Sequence, residues 1–272
     1  MPVRNGGNLL AAAMRSVIDQ SERNIEIIVS DNGSEDGSGE YVLKLAEHDP
    51  RIRYFRQASP LSAYDNFHFV LSQARGRYFM WAAHDDSRDL DFVARLADRL
   101  DQDGDAVLAF GDLYIVMPDD KVGRIQPFPF STAGLGRWRR MKKVSRLQCF
   151  NIYGLWRTSA IRRVPYAYCS WWPDLPMMMS AAWIGHFAYV AGTRFYYFEI
   201  PKANIDRVKY QDFSSRFNLP VAVLQLIGAT YRSCSQVGGP ATGLLAAGLV
   251  FWKQVVGFPG FLARRIRAAF VR

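Results

Sequence analysis

Two short acidic turns in the first third of the sequence hold the side chains best suited to chemistry. The first turn covers residues 31–36 and begins at Asp31, and the second covers residues 84–86 and holds the adjacent pair Asp85 and Asp86. Adjacent carboxylates repel each other, so one pKa rises unless a cation lies between them. Mg²⁺ relieves this repulsion because it takes oxygen ligands and shares them with substrate phosphates. The pair therefore suggests a divalent metal site, although two solvated acids in a loop give the same pattern.

Asp31 follows a β-branched, apolar run at residues 25–29. A carboxylate in this place can accept hydrogen bonds from a ribose hydroxyl or a base N–H. The residues after it, Asn-Gly-Ser, are a dense turn signal, so a turn-forming Asx role for Asp31 is the alternative. Residues 2–5, Pro-Val-Arg-Asn, form a short rigid segment with exposed backbone groups, or else a frayed terminus.

Hydrophobic periodicity predicts alternating helices and strands over the first 110 residues. Helices are expected at 9–18, with Asn8 as N-cap, and at 39–48, 63–74 and 90–100; strands are expected at 25–29, 51–55, 78–82 and 106–110. This alternation predicts an α/β fold with a mainly parallel sheet covered by helices. In such sheets ligands collect beyond the carboxyl ends of the strands. Both acidic turns follow strands, so we expect them to share one site.

In this order and spacing the motifs resemble those of the family 2 glycosyltransferases. PVRN at residues 2–5 resembles the family's P-x-[YR]-N turn, and IIVSDNGSED at residues 27–36 resembles its apolar-run-D-[DN]-G-S-x-D signature. ARGRYF at residues 74–79 is similar to A-x-G-x-Y-[FIL], and AHDD at residues 83–86 stands where D-x-D-D usually falls. The resemblance covers residues 1 to about 200 and implies a GT-A (Rossmann-like) fold.

The same resemblance implies a reaction and a set of donor-site residues. A sugar would pass, with inversion, from a nucleotide-diphosphate-sugar donor to a saccharide or lipid-linked acceptor in polysaccharide or cell-surface glycan biosynthesis. Asp85 would bind Mg²⁺ or Mn²⁺ at the donor diphosphate, and Asp86 would be a second ligand or an orienting acid. The residues implied to hold the nucleotide are Pro2, Arg4, Asn5, Asp31 and Asn66.

The acceptor half contains further candidates. The family places an acid at the start of a helix as general base, and Asp174 matches that position, although acids favour helix N-termini on electrostatic grounds alone. The segment at residues 151–157 resembles the family's acceptor-side G-[LIFM]-[FWY]-R, or is a plain strand with Trp156 in the core. The acceptor-site candidates are Tyr153, Gly154, Trp156 and Trp172.

Two features depart from the family pattern. Ala83 stands where many members have the first acid of the metal motif, so the metal would have fewer protein ligands. The family's first strand precedes the P-x-[YR]-N turn, whereas here only Met1 precedes Pro2. Without that strand the neighbouring backbone groups would lack partners, at about 1–3 kcal/mol for each buried group. We therefore expect that the natural chain begins upstream of Met1.

Composition separates the chain into two parts. The net charge is +9, and residues 200–272 carry most of it among apolar stretches. We expect a catalytic domain at 1–205, with donor half 1–110 and acceptor half 111–205, followed by a basic, apolar helical extension at 206–272. Such an extension suits an anionic membrane surface, or caps the catalytic domain. Three widely spaced cysteines predict no disulfide framework, and residues 1–7 lack the apolar core of a signal peptide. We expect a cytoplasmic protein, peripheral at the inner face of the cell membrane.

Two other function classes are compatible with parts of the sequence. A nucleotidyltransferase-like enzyme can use a similar sheet and acidic pair, but it would normally need a glycine-rich phosphate loop, for which Gly6 and Gly7 are a poor substitute. A catalytically degenerate transferase or a basic nucleic-acid binder is the third class. The positive charge is concentrated in an apolar tail and no nucleic-acid-binding motif is present, so we expect no nucleic-acid partner.

Overall fold

The computed structural model describes residues 1–117, 122–126, 130–146, 149–165, 172–198 and 219–252. By residue contacts the chain divides into two compact units that interleave in sequence. The first unit comprises Met1–Ala133, Phe150–Arg162 and Gly185–Ile205, and the second comprises Gly134–Cys149, Arg163–Ile184 and Asp206–Arg272. The domain boundary expected near residue 205, and the division into donor and acceptor halves, stay predictions.

The first unit begins with a three-stranded parallel sheet. Strands β1 (Pro2–Val3), β2 (Ile27–Asp31) and β3 (Ile52–Arg56) pair in the order β1-β2-β3. Every residue of β2 is buried, which explains its nearly continuous apolar sequence. Helices α1 (Leu9–Ile18), α2 (Ser38–His48) and α3 (Ala63–Gln73) connect or follow these strands. The core here includes Leu10, Met14 and Val29.

A second sheet of six strands completes the first unit. It contains β4 (Tyr78–Phe79), β5 (Ser87–Arg88), β6 (Ala106–Val116), β7 (Val122–Gln126), β8 (Leu155–Arg157) and β9 (His186–Phe198). The order is β4-β8-β6-β9-β5, with β7 on β6; β6 and β9 are parallel, and the other pairs are antiparallel. Helix α4 (Phe92–Asp101) packs on this sheet through Phe92 and Leu96, and a 3₁₀ turn (Phe150–Tyr153) and α6 (Thr158–Ile161) flank β8.

The second unit is helical in its described part. It contains α5 (Arg137–Val144), α7 (Asp174–Ile184), α8 (Leu219–Gly238) and α9 (Pro240–Phe251), and it buries Met141, Met178 and Leu226. Two of these helices lie in the predicted extension, most of whose basic residues fall outside the described part of the chain. Within the described residues, no helix has the length and apolar character needed to cross a membrane.

The structure corrects three local predictions, one of which is the strand expected at 106–110, because β6 extends from Ala106 to Val116. Asn8 is not a capping residue: its own backbone is helical and its side chain makes no cap hydrogen bond. The strand expected at 78–82 spans only Tyr78–Phe79. A cavity of about 420 Å³ lies beside it, lined mainly by apolar residues that include Ile27, Ile28 and Phe79. The buried Met1 amino group donates to the Ile28 carbonyl oxygen at 2.6 Å.

Candidate active site

The loop after β1, residues 4–8, is hydrogen-bonded to the first acidic turn. Three contacts join them: Asn5 N–H to Ser34 Oγ at 2.9 Å, Gly7 N–H to Asp36 Oδ2 at 2.9 Å, and Glu35 N–H to Asn5 Oδ1 at 2.9 Å. A fourth, Gly6 N–H to Ser38 Oγ at 3.0 Å, reaches the first residue of α2. Asn5 adopts a left-handed backbone with φ of 51°, which Asn tolerates better than most residues. We call residues 4–8 the N-terminal loop.

The N-terminal loop also contacts the second acidic turn. A Cβ atom on Gly6 would lie 2.9 Å from Leu10 Cβ and 3.4 Å from His84 Cδ2, so only glycine fits there without displacement. His84 immediately precedes Asp85 in the sequence. The two acidic turns therefore border one loop, although the strands before them, β2 and β4, lie in different sheets. The shared site expected from the sequence stays a prediction.

Asp31 is a buried residue with three protein donors. Its side chain is 1% exposed, and it accepts hydrogen bonds from Ser34 N–H at 2.8 Å, Tyr54 Oη–H at 2.7 Å and an Arg56 guanidinium N–H at 3.2 Å. Burial and the hydrogen bond to Asp31 raise the pKa of Tyr54. Gly39 allows this packing because a Cβ there would lie 2.8 Å from Asp31 Oδ2. Asp31 thus holds Tyr54 and the half-exposed Arg56 in place.

The other predicted nucleotide-binding residues differ in how they are exposed. Asn66 is buried, and both ends of its amide bond Ser30: Ser30 Oγ–H donates to Oδ1 at 2.5 Å and Nδ2–H donates to the Ser30 carbonyl at 3.2 Å. The polar atoms of Asn66 are thus used and enclosed within the protein, and its nucleotide contact stays a prediction. Pro2 is buried in β1 and pairs with Ser30, whereas Arg4 is exposed.

The second acidic turn contains one half-buried and one buried carboxylate. Asp86 accepts the Phe198 amide N–H at 3.1 Å, and its other oxygen has no partner among the described residues. Burial, followed by the negative charge of Asp85, raises the pKa of Asp86 to about 7. The buried Arg88 lies near enough to oppose that rise, and burial lowers its own pKa to about 10. Asp86 is thus poised to gain a proton or a cation.

These two carboxylates fit a divalent cation in donor type. Asp85 is partly accessible, and the orphaned oxygen of Asp86 needs a positive partner. Among the described residues, however, no group of three or more His, Cys, Asp or Glu side chains could hold a metal ion. Ala83 is buried at the position of the family's first acid. Phosphate oxygens and water would have to supply the remaining ligands.

Two of the acceptor-site candidates have structural roles. Trp156 is 0% exposed; its indole N–H donates to the Ile152 carbonyl at 2.8 Å, and its ring packs edge-on against Trp81 and Phe187. This burial favours the alternative core role of Trp156, and its contact with the acceptor stays a prediction. Gly154 is also buried, and a side chain there would clash with the Ala109 carbonyl oxygen.

The remaining acceptor-side candidates are partly exposed. The Tyr153 ring stacks on Phe195 with centroids 5.3 Å apart in the first unit. In the second unit, Trp172 has a φ of 54°, a strained left-handed conformation for an aromatic residue, and its carbonyl accepts the Leu175 N–H. Both stay predictions as acceptor contacts.

Asp174 begins α7 in the second unit and is partly exposed. Burial alone raises the pKa of Asp174 to about 6. A carboxyl group with a pKa near 6 is mostly ionised at neutral pH and is still basic enough to accept a proton from a hydroxyl group as that group reacts. This pKa is compatible with a general base, and the catalytic role of Asp174 stays a prediction.

The sequence did not single out Tyr54, Arg56 or Arg88. Tyr54 and Arg56 lie two positions apart at the end of β3, and Arg56 is in register with Asp31 on β2. Alternation of polar residues at a strand end could have identified that pair. No sequence signal distinguishes Arg88, because burial of its guanidinium depends on the packing around it.

Comparison with known proteins identifies the family. The family model described as "Glycosyl transferase family 2" matches residues 1–169. The chain belongs to this family. This chain is 36% identical over 115 residues to glycosyltransferase GlyA of Streptococcus pneumoniae. The matched region covers 42% of this chain and 16% of GlyA. It is 34% identical over 87 residues to a Campylobacter jejuni GalNAc(5)-diNAcBac-PP-undecaprenol beta-1,3-glucosyltransferase. That match covers 32% of this chain and 28% of the relative. The matches thus span a minor part of these curated relatives.

Solved structures of other transferases confirm the fold. The family 2 chain matches Staphylococcus aureus TarS 1–349 in complex with UDP with a TM-score of 0.67 and 12% identity, over 93% of this chain and 70% of that one. It also matches GalNAc-T7, solved with UDP, GalNAc and Mn²⁺, with a TM-score of 0.55 and 11% identity. That match covers 74% of this chain and 42% of the GalNAc-T7 chain. The predicted GT-A fold and transferase class are confirmed, and the nucleotidyltransferase alternative is set aside.

Proposed function

We propose that this protein transfers a sugar, with inversion and with a divalent cation, from a nucleotide-diphosphate-sugar to a saccharide or lipid-linked acceptor in glycan biosynthesis. The observation that carries the proposal is the N-terminal loop, which bonds the first acidic turn and packs Gly6 against His84 of the second. A nucleoside diphosphate has a base and ribose at one end and phosphates at the other. A binding site for it needs one polar region for the base and ribose and a second for the phosphates, and the two acidic turns beside the N-terminal loop are suited to these two parts.

The donor-side roles follow from exposure and charge. Arg4 is exposed on the N-terminal loop and is suited to a phosphate or ribose contact, with Asn5 fixing the loop that presents it. Asp31 positions Tyr54 and Arg56 beside the nucleoside. Asp85 and Asp86 would hold Mg²⁺ or Mn²⁺, which when bound supplies charge that stabilises the departing diphosphate.

On the acceptor side, we assign Asp174 as the general base. Its carboxylate would take the proton of the acceptor hydroxyl as the hydroxyl oxygen bonds the anomeric carbon and the bond to the nucleoside diphosphate breaks. Direct displacement of this kind inverts the anomeric configuration. The raised pKa of Asp174 supports the role, because a more strongly acidic carboxyl would be a weaker base.

The relatives guide the choice of substrates. TarS and GalNAc-T7 were solved with UDP, TarS also with UDP-GlcNAc, and one relative is named for a PP-undecaprenol acceptor. UDP-sugars and polyprenyl-diphosphate-linked saccharides are therefore the first donors and acceptors to test. Such an acceptor would place the protein in the cytoplasm, peripheral at the inner face of the cell membrane, with an anionic lipid surface as partner.

A panel of nucleotide sugars tests the proposal. The protein is screened with Mg²⁺ or Mn²⁺ for thermal stabilisation and for release of nucleoside diphosphate, and the screen is repeated with Asp85→Ala. Asp98→Ala is the matched control, because Asp98 is an exposed acid on α4. We expect one donor to give metal-dependent release that falls by about 100-fold or more in Asp85→Ala and is unchanged in the control.

Two results would count against the proposal. Donor turnover that survives in Asp85→Ala, or that continues unchanged with a chelator, would remove the metal from the mechanism. If no nucleotide sugar stabilised the protein or released diphosphate, sugar transfer by this chain would lose its support.

A further inference from the structure

Helix α9 has apolar residues on both of its sides. It contains no charged residue, and it buries Thr242, Gly243, Ala246 and Val250. The opposite side exposes large apolar side chains, and Trp252 continues it after the last helical residue; the exposed residues are Leu244 (66%), Leu245 (55%), Phe251 (50%) and Trp252 (67%). A helix that is apolar all round normally lies in a core or a membrane. No described residue covers this exposed face.

The charge of the sequence after α9 favours an anionic lipid surface over a second copy of this chain as the covering partner. Lys253 follows Trp252 directly, and residues 253–272 contain five Lys or Arg residues and no Asp or Glu. A second copy of this chain would bring like charges together, whereas anionic headgroups attract them.

The length of α9 indicates how it would meet a bilayer. Its 12 residues span roughly 18 Å, well short of the roughly 30 Å hydrocarbon core. It is therefore too short to span and is suited to lie in the plane of the interface, with leucine and phenylalanine in the headgroup–acyl boundary. Trp252 at its end has the amphipathic ring that favours this depth.

We propose that the exposed face of α9, with Leu244, Leu245, Phe251 and Trp252 as the inserted residues, docks this protein on an anionic lipid surface. The proposal deepens the lipid-linked acceptor proposed above and rests on it for its purpose, since docking brings the enzyme to acceptors held in the membrane. Binding to lipid needs neither donor nor acceptor, so it can be measured independently of the reaction.

Matched leucine variants test this surface. The full chain, Leu244→Gln/Leu245→Gln, and the control Leu43→Gln/Leu90→Gln are sedimented with vesicles of phosphatidylcholine alone or with phosphatidylglycerol. The control leucines are 47% and 60% exposed in the first unit, so composition and charge change equally in both variants. We expect the wild type and the control to bind anionic vesicles, and the α9 variant to bind about tenfold to a hundredfold more weakly. Added salt should weaken binding by all three.

Several outcomes would overturn the proposal. The proposal would be wrong if the α9 variant and the control bound vesicles equally, or if the wild type did not bind vesicles. A change of oligomeric state in the α9 variant alone would identify a second copy as the covering partner. A lower unfolding temperature with unchanged vesicle binding would mean that another segment of this chain packs on the face. Diphosphate release with a water-soluble acceptor is measured on the same variants: its absence from all of them would contradict the transferase proposal and leave the docking result standing.

Discussion

Replacing Asp174 with asparagine should slow sugar transfer and, at neutral pH, stabilise the fold. The carboxyl and amide groups have nearly the same shape, so the substitution removes the ionisable group and keeps the packing at the start of α7. The effect on rate follows from loss of the base, and the effect on stability follows from loss of a charge in a poorly solvated place. A purely structural helix-start acid would give the opposite sign for stability.

The magnitude follows from the pKa of Asp174, which burial raises from 3.8 to about 6. Each pKa unit corresponds to about 1.4 kcal/mol, so ionisation of Asp174 costs the folded state up to about 3 kcal/mol. Because the folded pKa is the higher one, the stability that protonated Asp174 provides is complete below about pH 4 and is lost as the pH rises through about 6. Favourable contact with the α7 N-terminus offsets about 0.3–1 kcal/mol, so we expect Asp174→Asn to gain about 2 kcal/mol near pH 8.

The assay measures unfolding and turnover over the same pH series. Urea unfolding of wild type, Asp174→Asn and the exposed-site control Asp98→Asn is followed from about pH 4 to pH 8, and we expect the stability difference to vanish at the acid end. Wild-type turnover of the identified donor and acceptor should rise with pH to a plateau, with a midpoint near 6. Asp174→Asn should turn over about 100-fold to 10,000-fold more slowly, without that rise.

Two outcomes would refute this reasoning. If Asp174→Asn kept the midpoint near pH 6 in its turnover, another group would be the base. If Asp174→Asn were less stable than wild type near pH 8 while Asp98→Asn was unchanged, the carboxylate would be stabilising the helix rather than suffering from burial. The first result would withdraw Asp174 from the catalytic assignment, and the second would withdraw the argument that burial raises its pKa.

Two further substitutions test the donor side. Gly6→Ala should destabilise the protein by about 1–3 kcal/mol and raise the donor KM, because the added methyl meets the buried Leu10 and displaces the N-terminal loop. Gly104→Ala is the control, since open space surrounds Gly104. An unchanged donor KM in Gly6→Ala would contradict the role of the loop. Asn66→Ala should lower the free energy of unfolding in urea by about 1–3 kcal/mol and leave the donor KM unchanged, because Asn66 bonds Ser30 inside the protein. Asn24→Ala, at an exposed position, is the control for both measurements. A raised donor KM with unchanged stability would support a nucleotide contact by Asn66.

Much of the first unit could be predicted from local sequence. The helices at 9–18 and 63–74 and the strand at 51–55 match α1, α3 and β3 within one or two residues, because apolar periodicity and buried faces coincide there. The sequence places the acidic turns together by assigning their strands to one parallel sheet, whereas β2 lies in the three-stranded sheet and β4 in the six-stranded sheet. The two turns meet instead at the N-terminal loop.

The parts that were wrong depend on packing between distant segments. Gly111 reads in sequence as the end of a strand, yet β6 continues through it to Val116. The glycine lets β9 approach so closely that a side chain there would clash with the Thr193 carbonyl oxygen. Trp156 could be placed at a sugar or in a core equally well until Trp81 and Phe187 were seen to enclose it. No local pattern contains those contacts.

Hydrogen-bond satisfaction separates the predicted site residues into two groups. Asp31 and Asn66 are buried, so their polar atoms had to find partners inside the protein, and they did, in Tyr54, Arg56 and Ser30. Arg4 and Asp85 are accessible, and Asp86 has one oxygen with no described partner. Unsatisfied charge at the end of a sheet is costly unless a ligand completes it. Ligand contact should therefore fall on the second group, and the first group should act by holding the loops that present it.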